Sequence, residues 1–181
     1  MGTADNDFTE IMVLSGLRFT PEQFLAKMEK SRKLKKQGVS CRYVTTAYGL
    51  CWIFQFRVKL QATQNTSRYI GYYAGFDETV MSPGKLALIP GAKPEKVNSK
   101  LILADRLTEA EALERAWDYN RQGIIRKYRI LQNPPILEDH VTDRYYKPLY
   151  MMEFYNSNSD ERKYQMLDSL TGDLLGIQLK G

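Results

Sequence analysis

The sequence predicts an α+β protein made of two repeats of one unit, a capped helix followed by a three-stranded antiparallel meander. Three observations predict it. Two helix starts share one grammar, each helix meets a glycine after a glutamine (Gly38 after Gln37, Gly123 after Gln122), and three β-rich runs follow in each half. Aromatic runs within those halves align as well: Trp52-Ile53-Phe54-Gln55-Phe56 falls on Tyr150-Met151-Met152-Glu153-Phe154 at a constant offset of 98 positions. Arg68-Tyr69 falls on Lys163-Tyr164 at an offset of 95. A polar residue in the same slot of both aromatic runs is what a strand half-exposed at that position requires.

In chain order, residues 1–18 form an N-terminal segment, polar and acidic at its start, with one short apolar cluster from Ile11 to Leu14. The first unit covers 19–82. Thr20 is placed to cap a helix, Pro21 suits its first position, Gln23 completes a capping box, and Phe19 and Phe24 are spaced as a hydrophobic staple. The helix is expected to run to Gly38, where a residue able to adopt positive φ ends it. Strands are expected over Val39 to Thr46, Leu50 to Gln61 and Arg68 to Met81, with turns at Tyr48-Gly49 and Thr63-Gln64-Asn65-Thr66. A linker over 83–105 is bracketed by Ser82-Pro83-Gly84 and Pro90-Gly91-Ala92-Lys93-Pro94, with Leu86 to Ile89 and Leu101 to Leu103 as short edge strands.

The second unit covers 106–181. Thr108 caps its helix with Glu111 reaching back, and Leu113, Ala116 and Trp117 give an apolar stripe. The helix is expected to stop at Gly123. Strands then follow over Ile124 to Leu137, Pro148 to Asn156 and Lys163 to Ile177, broken at Asn133-Pro134-Pro135 and at Asn156-Ser157-Asn158-Ser159-Asp160.

Composition permits an ordered core without staples. A chain of 181 residues removes roughly 70% of its unfolded surface from water. Its 43% hydrophobic and 26% charged residues are far from the signature of disorder. Twelve tyrosines against seven phenylalanines and two tryptophans point to sheets with one wet face. Cys41 and Cys51 fall on what read as neighbouring strands, so either a disulfide or two reduced, half-buried thiols fits. One histidine and no C-x-x-C leave no zinc-ligand set, and no cofactor motif is present. A basic n-region followed by an apolar h-region is missing, and no run approaches the 20 or so apolar residues of a bilayer span. The expectation is a soluble, cytoplasmic chain, or an extracytoplasmic one if a leader or anchor precedes it.

The segment Tyr164-Gln165-Met166-Leu167-Asp168-Ser169-Leu170-Thr171-Gly172-Asp173-Leu174-Leu175 reads as a strand, a tight Thr-Gly turn and a returning strand. It resembles the closing segment of PepSY domains, whose last strand carries a D-x-x-T-G turn, and the match spans about residues 105–179. The first unit has Ala74-Gly75-Phe76-Asp77-Glu78 at the equivalent place and lacks the Thr-Gly pair. The resemblance implies a non-catalytic domain that serves as a protease-inhibitory propeptide segment or an extracytoplasmic interaction module, often in bacterial envelope or sporulation proteins.

Three groups of residues are candidates for function. Lys27, Lys30, Arg32, Lys33, Lys35 and Lys36 account for more than the net charge of +5. At 100° per residue they surround the helix, so its last turns are expected to project into solvent, either as a basic end complementing the helix dipole or as a patch for phosphate or an acidic protein surface. The pairs Tyr72-Tyr73 and Tyr145-Tyr146 place one ring on each face of a strand, which suits either sheet packing or a protein-binding face. Glu138, Asp139 and His140 form the one stretch where carboxylates adjoin an imidazole, and they read as a solvated loop before Tyr145. The functional expectation is therefore a non-enzymatic protein-interaction or inhibitory module using a tyrosine-rich sheet face or a sheet edge. The alternative is a nucleic-acid-associated accessory protein using the basic helix end.

Overall fold

A computed structural model of the chain describes residues 7–16, 18–63, 66–129 and 133–176. It overturns the expected fold class. Of the described residues 53% are strand and 23% helix, with three α-helices and eight strands in one mixed sheet, so the protein is not two consecutive helix-plus-meander repeats. The elements are β1 Phe8–Leu14, α1 Pro21–Glu29, α2 Arg32–Lys36, β2 Val39–Thr63, β3 Thr66–Asp77, β4 Ser82–Leu86, β5 Ala92–Asn98, α3 Glu109–Tyr128, β6 Ile136–Asn156, β7 Glu161–Asp168 and β8 Leu174–Leu175. The strand order is β4-β3-β2-β6-β1-β5, with β7 joined to β6 and β8 to β7.

Each correction has a physical cause. Both capping boxes form as expected: Thr20 and Thr108 accept from the backbone N–H of Gln23 and Glu111, whose side chains return to the cap residues. The first helix, however, breaks at Lys30-Ser31 into α1 and α2. Cations three and four residues apart in this stretch repel by about 0.2–0.5 kcal/mol per pair. The helix of the second half runs through Gly123 to Tyr128. A glycine inside a helix costs about 1 kcal/mol, whereas burying Ile124, the fourth member of the stripe Ala112, Ala116, Asn120 and Ile124, returns roughly 1.5–3 kcal/mol. The first five residues of the strand expected from Ile124 are thus helix.

The turn read at Tyr48-Gly49 is extended backbone inside β2. The Tyr48 carbonyl accepts from Leu103 N–H at 2.9 Å and Tyr48 bridges Ile102 in parallel, so another segment supplies the partner that a turn would have found locally. Cys41 and Cys51 are consequently on one strand and are not joined by a disulfide. Glu138-Asp139-His140, read as a loop before Tyr145, lies within β6, which takes its backbone partners from β2, and its charges meet neighbours there, Glu138 pairing with Lys59. In place of the expected edge strands Leu86 to Ile89 and Leu101 to Leu103, the strands are Ser82–Leu86 and Ala92–Asn98, the latter pairing antiparallel with β1 from Phe8↔Asn98 to Leu14↔Ala92. Gln64 and Asn65 of the expected hairpin turn lie outside the described residues.

Two compact units result, and neither is a continuous half of the chain. Unit one comprises Met1–Gly49, Ala92–Leu103 and Tyr146–Gly181; unit two comprises Leu50–Gly91 and Ala104–Tyr145. In each, a helix covers strands from the other half. In unit one Phe24 and Leu25 of α1 pack on Tyr150, Met152 and Leu167, with the Phe24 ring edge-on to Phe154 at 6.4 Å. In unit two Trp117 of α3 meets Phe56 edge-on at 5.7 Å, and Asn120 Nδ2 donates to the Gly84 carbonyl.

Unit one also buries an ion pair. Lys147 Nζ donates to Asp168 Oδ2, with side chains 0% and 1% exposed. The other oxygen of Asp168 accepts from the N–H groups of Leu170 and Thr171 at 2.7 and 3.3 Å, which shapes the turn into β8. Gly172 closes that turn at φ 77° against the Phe19 ring, where a Cβ would stand 2.9 Å from three ring carbons. The strand, Thr-Gly turn and returning strand read from the sequence are present here, with Met166↔Leu175 and Leu167↔Leu174 in register. No helix among the described residues is long and apolar enough to cross a membrane.

Candidate functional site

Alternation along β6 gives unit one's sheet two faces, one under α1 and one on which Leu149, Met151 and Met166 pack with Leu103 and Leu175. Tyr150, Met152 and Phe154 turn toward α1, so Glu153 and Tyr155 point the other way. Across the antiparallel pairing Glu153 stands opposite Tyr164 and Tyr155 opposite Arg162, and directly opposed residues share a face. Arg42 reaches the same face from β2. Its Nε and Nη2 donate to Glu153 Oε1 and Oε2, both at 2.9 Å, and Tyr164 Oη donates to Glu153 Oε2 at 2.8 Å.

The electrostatics follow from that geometry. Glu153 is 6% exposed although Arg42 is 67% exposed, so a buried carboxylate anchors an open guanidinium. The hydrogen bonds from Arg42, then from Tyr164, hold the Glu153 carboxyl below its ordinary value. Arg162 lies over the Tyr155 ring at 5.6 Å, and Tyr155 Oη donates to Asp160 Oδ1 at 3.1 Å. Ser40, Cys41, Arg42, Glu153, Tyr155 and Arg162 line a groove of about 520 Å³. Burial pushes the Cys41 thiol up to about 11, so it is no nucleophile near neutral pH.

The basic segment adjoins this groove through the β6–β7 turn. Ser157 N–H and Oγ donate to the Gly38 carbonyl at 2.9 and 3.1 Å, and Asn158 Nδ2 donates to the Gln37 carbonyl at 3.0 Å. Gly38, at φ 66°, leaves no room for a side chain, since a Cβ would stand 2.6 Å from Ser157 Oγ. Lys27, Lys30, Arg32, Lys33, Lys35 and Lys36 are all exposed, and among the described residues none of them forms an ion pair.

The other candidates are less open. Tyr72, Tyr73, Tyr145 and Tyr146 are all half-buried. Lys85 lies over the Tyr72 ring at 5.5 Å, and Tyr146 packs on the cluster of Ile11, Val13 and Val97. Tyr73 lines a second groove, of about 210 Å³ in unit two, with Gln55, Arg57, Asp139 and His140. His140 Nε2 stands 4.0 Å from Glu109, and Glu138 accepts from Tyr69 Oη at 3.3 Å, so this stretch is tied into the sheet and α3. The edge strands β4 and β5 carry Pro83 with Lys85 and Pro94 with Lys93 and Lys96, residues that blunt an edge against added strands. Among the described residues no group of three or more His, Cys, Asp or Glu is placed to hold a metal.

Arg42, Glu153, Arg162 and Tyr164 escaped the sequence reading. The available signal was Glu153 itself, a carboxylate inside an apolar run, which the alignment with Gln55 turned into an exposed position. No protein-family model, curated protein or solved structure matches the chain.

Proposed function

We propose that this chain is a non-enzymatic protein-interaction module that engages an acidic protein surface through unit one. The observation that carries the reading is the solvent-facing run of cations over α1 and α2, unpaired among the described residues and gripped at its end by the β6–β7 turn. Charge of one sign on a fixed surface steers a partner of the other sign and sets its register. The half-buried tyrosines favour this surface over a tyrosine face, and Pro83, Lys85, Pro94 and Lys96 weigh against strand addition at β4 and β5. The resemblance to PepSY domains supports the same class of function, through the Asp168–Gly172 turn.

A photo-crosslinking side chain at Gln37, with a control at Glu114 in unit two, tests the reading in lysate of the source organism. The expected result is a discrete acidic protein joined to position 37 and not to 114. Adducts to nucleic acid alone, or no protein adduct from position 37, would overturn it.

A further inference from the structure

We propose that the groove of Ser40, Arg42 and Arg162 seats a carboxylate side chain of an extended acidic segment in the partner. This rests on the reading above and names what that surface grips. Glu153 engages Nε and Nη2 of Arg42, which lines the groove, so the guanidinium is oriented before any ligand arrives. Arg162 is likewise laid down on the Tyr155 ring. Planar guanidinium groups fixed in this way lose little entropy on binding and match a carboxylate edge with two parallel hydrogen bonds.

Charge selects the occupant. Glu153 balances Arg42, while among the described residues Arg162 has no ion-pair partner. The residues that line the groove therefore carry one net positive charge, with Asp160 held outside the lining by the Tyr155 hydroxyl. One carboxylate neutralises it, with the Ser40 hydroxyl as a further donor to that group. The β6–β7 turn then leads from the groove to α2, where Lys33, Lys35 and Lys36 meet acidic residues further along the same segment. An extended chain with spaced Glu or Asp fits both parts.

The test is anisotropy of a fluorescein-labelled, Glu-rich peptide titrated with the full chain, at about 50 mM and about 200 mM salt. Arg162→Gln is expected to weaken binding about tenfold at the higher salt, and Lys96→Gln, which removes the same charge from β5, less than about twofold. Circular dichroism confirms that both variants are folded. Equal losses from the two variants would overturn the groove while leaving the acid-binding surface standing. No binding at the lower salt would overturn that surface, and the groove with it. Tighter binding of a phosphopeptide or of duplex DNA than of the Glu-rich peptide at the higher salt would overturn the carboxylate assignment.

Discussion

Units one and two are built from the same materials, a helical cover over parts of β2 and β6 and a returning hairpin, yet they dispose of their charges in opposite ways. In unit two the cations lie on the unit's own rings and carboxylates. Arg57 covers Tyr69, Arg68 and Lys127 flank Tyr128, Lys85 covers Tyr72, and Arg144 covers Trp52 while pairing with Asp105 at 2.5 Å. Unit one buries its opposite charges in pairs, Lys147 with Asp168 and Glu153 under Arg42, and leaves the α1–α2 cations to solvent. Unit one holds 15 Lys and Arg against 11 Asp and Glu, unit two 11 against 10. Stacking alone leaves a cation its charge, as it does Arg162 on Tyr155 in unit one. In unit two, however, Arg144 and Lys59 are also neutralised by Asp105 and Glu138, whereas the α1–α2 cations of unit one have no such partner among the described residues. The comparison therefore points to unit one as the binding unit.

The sharpest way to break it is at the buried charges. Lys147→Met strands the Asp168 carboxylate and is expected to cost about 3–5 kcal/mol in urea unfolding. Adding Asp168→Asn, which keeps an acceptor for the turn, is expected to restore most of that loss. In unit two the buried carboxylate is Glu78, which accepts from Trp52 Nε1 at 2.6 Å and Arg106 N–H at 2.7 Å. Glu78→Leu leaves neutral donors unpaired, not a bare charge, and is expected to cost about 1–3 kcal/mol, read by tryptophan fluorescence. If Glu78→Leu proved costlier than Lys147→Met, the contrast between the units would fail.

Smaller effects sharpen the same contrast. Thr20→Ala and Thr108→Ala each remove a capping box and are expected to cost about 1 kcal/mol in thermal unfolding. Local hydrogen exchange is expected to rise further after Thr20→Ala, because α1 has 9 residues where α3 has 20. The smallest effect is acid sensitivity at Glu153, whose partner Arg42 is open to solvent. Its carboxyl is held below the ordinary 4.5, so its contribution is complete above that pH and disappears as pH falls through the lowered folded value. Glu153→Gln is expected to flatten this part of the acid-unfolding curve, and an unchanged curve would show that the Arg42 pairing adds nothing to unit one.

Features set by neighbours along the chain were legible in the sequence. Thr20 and Thr108 as caps, the glycine stop at Gly38, the Asn156–Asp160 turn and the Asp168–Gly172 turn each depend on contacts within a few residues, so residue type and spacing determine them. The exposure of the α1–α2 cations belongs with these, since six cations and Glu29 in ten positions leave no buried face to hide in.

Tertiary structure decided the rest. Whether Gly49 turns the chain or continues β2 depends on the backbone of Leu103 arriving at Tyr48. Whether Gly123 ends α3 depends on what Ile124 is buried against, and whether Glu153 is wet or buried depends on Arg42, 111 positions away. The exchange of helical covers between the two halves is of the same kind. Local pattern states that a helix needs an apolar surface and that a strand needs an edge, but burial energy is non-directional and does not say which distant strand supplies them. The sequence by itself therefore determined caps, turns and the basic surface, and only packing between distant segments determined which strands form a unit and where the buried charges meet.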